Sequence, residues 1–105
     1  MPVARRVGTI ERIKTEQLLD RLLQEWRAQQ AGEGEPLIIE EAPRDGDRPN
    51  HLYVVWSEWN DLTPLERSRL IMQAYEKYRG RDLANSVTLA MGLTPDEARK
   101  MNIEF

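Results

Sequence analysis

His51 is the single histidine of this 105-residue chain, and cysteine is absent. One imidazole with no thiolate and no second imidazole makes no zinc or other transition-metal site. The reading that follows is a surface residue bonded locally at the mouth of a strand, with contact to a partner as the alternative. Asp45-Gly46-Asp47 and Asn50 begin like a calcium loop. However, Asn50 stands where such a loop needs glycine, and Trp56 where it needs a bidentate glutamate, so calcium is not expected. Glu40 and Glu41 are adjacent on an extended run. They point to opposite faces and cannot flank one substrate bond, so they read as solvated charges that guard a sheet edge. No Gly-x-Ser-x-Gly, phosphate-binding loop or dinucleotide fingerprint is present, and no serine has a histidine at motif spacing. Arg67 and Arg69 lie about 200° apart around a helix, which makes them two separate contacts rather than one clamp. Arg69 borders an apolar stripe, where it can line a groove between that helix and the next strand. These residues predict no enzyme, no metal and no cofactor.

The elements that must position these residues follow from periodicity. Leu18, Leu19, Leu22, Leu23 and Trp26 recur at helical spacing within a helix from about Thr9 or Thr15 to Ala31, stopped by Gly32, Gly34 and Pro36. Leu37-Ile38-Ile39-Glu40 and Leu52-Tyr53-Val54-Val55-Trp56 read as strands joined by a loop holding Pro43, Gly46 and Pro49. Trp56 shares a face with Leu52 and Val54, predicted as core, while Tyr53 and Val55 point the other way with His51 and Ser57. Thr63-Pro64-Leu65-Glu66 is a capping-box start for a helix to Arg79, with Leu70, Ile71, Ala74, Tyr75 and Tyr78 as its stripe and Gly80 as its stop. Val87 to Met91 reads as a third strand. Leu93-Thr94-Pro95-Asp96-Glu97 repeats the capping signature for a short last helix toward Met101.

The expected fold is α+β: a three-stranded mixed sheet with helices packed on one face, in the order α-β-β-α-β-α, the last two strands parallel through the crossover. Residues 1–8 read as a flexible N-terminal arm and 9–105 as a single domain. No run is apolar enough for a secretory signal or a membrane span. The lack of cysteine fits a reducing, cytoplasmic setting. A net charge of −3 argues against a general nucleic-acid binder.

The order of elements, together with His51-Leu52-Tyr53-Val54-Val55-Trp56-Ser57, Leu65-Glu66-Arg67-Ser68-Arg69-Leu70-Ile71 and Val87-Thr88-Leu89-Ala90-Met91, resembles the BolA family, whose domain is similar to the type II KH fold. The resemblance runs from about Leu18 to Arg99. It implies a strand that opens on His51, an aromatic after that strand at Trp59, and a main helix beginning around Arg67. Ser68 stands at the middle of the family's Arg-His-Arg triplet, and Met91 where the family's strand commonly ends in the histidine that ligates a [2Fe–2S] cluster shared with a monothiol glutaredoxin. A thioether is a poor ligand for ferric iron, and a serine hydroxyl does not replace an imidazole. The resemblance therefore implies a non-enzymatic protein-interaction module, possessing no cluster ligand of its own, with a monothiol glutaredoxin as the family's partner and a role in iron, redox or stress regulation. It places candidate partner contacts at His51, Trp59, Arg67, Ser68, Arg69 and Met91, in a monomer or weak homodimer. A KH-like nucleic-acid or transcription-regulating domain is the second reading; it has no Gly-x-x-Gly clamp for the phosphates.

Overall fold

Both capping signatures start helices as their chemistry dictates. In the computed structural model, which describes residues 7–28, 34–44, 46 and 48–103 and the side chains from Thr15 onward, Thr63 accepts from the Glu66 N–H and opens helix α2 (Pro64–Arg79). Thr94 accepts from the Glu97 N–H and opens helix α4 (Pro95–Lys100). Each threonine sits in extended backbone and satisfies a donor that a helix start leaves unpaired. Gly80, at φ 91°, ends α2 by donating its N–H to the Glu76 carbonyl.

Helix α1 (Val7–Ala28) begins earlier than Thr9 or Thr15. Val7 and Gly8, assigned to the arm from sequence, are its first residues. One glycine costs a helix only about 1 kcal/mol and does not stop it. The remainder of the expected arm, and the helix end expected at Ala31, lie outside the described residues, as do Asp45 and Asp47 of the calcium-like loop.

Strand β1 (Leu37–Glu41) pairs antiparallel with β2 (His51–Val55), and β2 pairs in parallel with β3 (Leu89–Leu93), so β2 is central. The crossover from β2 to β3 holds a 3₁₀ turn (Ser57–Asp61), α2 and a short extra helix α3 (Arg81–Asn85). The third strand lies two residues later than Val87–Met91. Val87 donates to Ala84 in the turn that leaves α3, and the N–H groups of Thr88 and Leu89 both reach Asn50 at the sheet's entrance. Alternation of apolar residues does not distinguish a strand from the turn leading into it.

The register sorts the side chains into two faces. Ile38, Val54 and Gly92 are neighbours across the sheet, as are Glu40, Leu52 and Ala90. This face carries the main core, in which Leu18, Leu22 and Trp26 of α1 meet Leu70, Ile71, Ala74 and Tyr75 of α2. Trp26 lies 5.4 Å from the Tyr75 ring and stacks on Tyr78 at 6.2 Å. The opposite face holds the rows Leu37, Val55, Leu93; Ile39, Tyr53, Met91; and Glu41, His51, Leu89. A smaller cluster covers its first row, where Ala98 of α4 and Ile103 pack against Val55 and Leu93. Trp56 is core, as its alternation with Leu52 and Val54 predicts.

Leu22 is fully enclosed whereas Leu65 is 59% exposed. In urea denaturation Leu22→Ala is expected to lower stability by about 2–5 kcal/mol through lost transfer energy and a cavity. Leu65→Ala is expected to stay within about 0.5 kcal/mol of the unsubstituted chain.

Candidate functional site

Arg67 shows how the candidate residues divide. It is only 6% exposed, and its spacing of three, four and seven residues before Leu70, Ile71 and Ala74 puts it on the buried stripe of its helix. Its Nε donates to the Trp59 carbonyl at 3.1 Å and the Leu62 carbonyl at 2.9 Å, and its Nη1 to the Gly92 carbonyl at 3.2 Å and Glu97 Oε1 at 2.8 Å. Trp59 is fully buried; its indole N–H donates to the Val54 carbonyl at 3.0 Å, and its ring meets Trp56 edge to face at 5.2 Å. Gly92 permits this approach, because a Cβ there would lie 2.8 Å from Arg67 Cβ and 3.0 Å from the Trp59 ring. Trp59 and Arg67, both expected as surface contacts, are therefore internal: one fills the core and the other ties the 3₁₀ turn, α2, β3 and α4 together.

Glu97 has two duties. Its Oε1 accepts from the Thr94 N–H at 2.8 Å and from Arg67 at 2.8 Å. Its carboxyl is held below the usual carboxylate range, first by the Thr94 backbone donor and then by the Arg67 hydrogen bond, against an opposing effect of burial.

Ser68 also faces inward. The Leu89 N–H bonds to Asn50, and the Leu93 carbonyl accepts from Trp56, so by alternation Ala90 and Gly92 turn their backbone groups away from β2. Ser68 Oγ donates to the Ala90 carbonyl and Arg67 to the Gly92 carbonyl. Side chains of α2 thus cap the outer edge of β3. Arg69, expected beside the apolar stripe in the groove toward β3, lies instead on the opposite, exposed face of α2, about 200° around from Arg67, and makes no hydrogen bond or ion pair among the described residues. Leu65, four residues earlier, lies on the same helix face.

His51 and Met91 lie on the other face of the sheet, on either side of Tyr53. His51 Nδ1 is 2.8 Å from Glu41 Oε1, and its ring meets Tyr53 edge-on at 6.3 Å. Met91 is half-buried at the margin of the small cluster. Glu40 and Glu41 do point to opposite faces. Each has a partner rather than solvent alone, since Glu40 accepts from the Trp26 indole at 3.0 Å. The structure therefore separates the candidates into an inner pair, Trp59 and Arg67, Ser68 against the edge of β3, Arg69 on the exposed face of α2, and a sheet face with His51 and Met91. Ser68 and Met91 are on opposite sides of β3 and share no centre. Among the described residues no three His, Cys, Asp or Glu side chains come together to hold a metal.

Gly92 and the second role of Glu97 are absent from the sequence reading. A glycine within a strand signals close approach of another group, but a strand ending at Met91 leaves Gly92 outside it. No family model, curated protein or solved structure matches the chain.

Gly92→Ala is expected to destabilise the fold by about 1–3 kcal/mol, because backbone and ring must both shift; thermal unfolding measures it. A carboxylate with a lowered folded pKa contributes stability that is present above its unfolded pKa and lost as pH falls through the folded one. Stability measured below about pH 4.3, the ordinary glutamate value, should accordingly fall more steeply for the unsubstituted chain than for Glu97→Gln.

Proposed function

We propose that this chain is a BolA-like, non-enzymatic protein-interaction module that ligates no cluster by itself and presents the first turns of α2 to a protein partner. One observation carries the reading. Arg69, without an ion pair among the described residues, is a cation one helical turn from Leu65, which is 59% exposed, on the helix that caps the edge of β3. An exposed apolar side chain beside a free guanidinium suits a partner surface with an apolar spot and a carboxylate. The antiparallel β1–β2 and parallel β2–β3 pairings accord with the family resemblance, as do the motifs around His51 and Arg67. By the same resemblance a monothiol glutaredoxin is the first partner to test, in a cytoplasmic role in iron, redox or stress regulation.

The nucleic-acid reading has less support. Of the basic residues along α2 and into α3, Arg67 is buried against Glu97, Arg81 lies 3.5 Å from Glu76, and Arg79 stacks on Tyr78 at 4.6 Å. Such a broken series makes no continuous track for a phosphate backbone. Among the described residues no helix is long and apolar enough to cross a membrane.

Heteronuclear NMR titration with a monothiol glutaredoxin is expected to shift the amides of Leu65, Ser68 and Arg69. Arg69→Glu should weaken the complex about tenfold or more, equivalent to 1.4 kcal/mol. The absence of any shift up to about millimolar concentration, where binding is worth only about 4 kcal/mol, rejects that partner.

A further inference from the structure

The sheet face opposite α1 and α2 is only partly covered. Its first row is closed: Val55 is 1% and Leu93 6% exposed beneath Ala98 and Ile103. In the next two rows, Ile39-Tyr53-Met91 and Glu41-His51-Leu89, Ile39 and Met91 pack at the margin of that cluster, and among the described residues Tyr53 and Leu89 belong to neither apolar cluster. Ile39, Tyr53 and Met91 are half-buried and Leu89 is 36% exposed. The result is an apolar strip with Glu41 and His51 at one end.

We propose that this strip docks a short amphipathic helix of a partner protein, laid across the three strands beside α4, with apolar residues on Tyr53, Met91 and Leu89 and a basic residue facing Glu41. Size selects the occupant. Two rows at about 6.6 Å along the strands give a strip about 13 Å wide, and three strands about 4.8 Å apart make it about 14 Å long. That is the width of one helix, about 10–12 Å across, and the length of about ten residues. An area of about 200 Å² is far below the roughly 800 Å² per partner of a stable interface, so the contact is a weak one to a short segment rather than a stable dimer of the chain. The fold already uses this mode once, with Ala98 of α4 set over Val55 and Leu93. Charge sets the preference. Glu41 is 58% exposed and holds His51 through Oε1, which leaves a carboxylate at the rim for a lysine or arginine. The strip lies on the other side of the sheet from Leu65 and Arg69 and does not depend on the glutaredoxin reading.

The test uses the full chain and two synthetic helical peptides of about 12 residues, each with a leucine stripe at i, i+4 and i+7, one with lysines and one with glutamates beside it. The lysine peptide is expected to shift the amides of Ile39, Tyr53 and Met91 and to bind about fivefold or more tightly than the glutamate peptide. Tyr53→Lys should weaken it about tenfold; Leu89→Lys, at a more exposed position, should do the same if the first variant folds poorly. Arg69→Glu should leave it unchanged, which separates this site from the α2 surface. Absence of shifts, equal binding of both peptides, or shifts centred on Leu65 and Arg69 each overturn the proposal. Sedimentation showing a dimer that Leu89→Lys dissolves overturns it in favour of a second copy.

Discussion

The Arg67 guanidinium is the contact on which the assembly of this fold turns. A buried cation costs several kcal/mol unless every donor finds an acceptor. Arg67 reaches three backbone carbonyls and one carboxylate, drawn from the 3₁₀ turn, the loop before α2, β3 and the first turn of α4. The arrangement fixes the register of β3. A slip by one residue would bring Met91 or Leu93 to the place of Gly92, where even a Cβ meets Arg67 and Trp59 at 2.8–3.0 Å. The close packing at Gly92 and the Arg67 bond to its carbonyl thus specify one pairing of the sheet.

The same economy governs the sheet edges. An unpaired strand edge invites other chains, and proteins blunt it with covering elements or charge. On β3, Ser68 and Arg67 of α2 occupy the carbonyls of Ala90 and Gly92. β1, the other edge, ends in Glu40 and Glu41, held on opposite faces by Trp26 and His51. With one edge capped and the other charged, exposed apolar side chains remain on a helix face, at Leu65, and on a sheet face, at Leu89.

Legibility in the sequence follows how local each cause is. Capping boxes at Thr63 and Thr94, the stripes of α1 and α2, and the alternation that buries Trp56 depend on residues within a few positions of one another. They were readable together with the mixed sheet and the order of its elements. Arg67 reads as a surface contact because a guanidinium is expected in solvent; its spacing to Leu70, Ile71 and Ala74 puts it on the buried stripe, but the acceptors that make burial tolerable come from residues up to 30 positions away. Trp59 follows a strand and reads as an exposed loop aromatic until Gly92 shows the space it fills. β3 starts two residues later than its pattern suggests because Val87 and Thr88 are β-branched yet belong to the turn from α3.

Ser68 and Met91 acquire their meaning from these constraints. Ser68 closes a sheet edge, and Met91 joins the small cluster that also holds Val55 and Leu93. A hydroxyl bonded to a backbone carbonyl and a thioether packed among aliphatics perform structural work, and neither provides the titrating lone pair of an imidazole. An imidazole at position 68 would have to meet the Ala90 carbonyl beside the buried Arg67, and one at position 91 would bring polarity to an apolar row. Both side chains are therefore accounted for by the packing they complete.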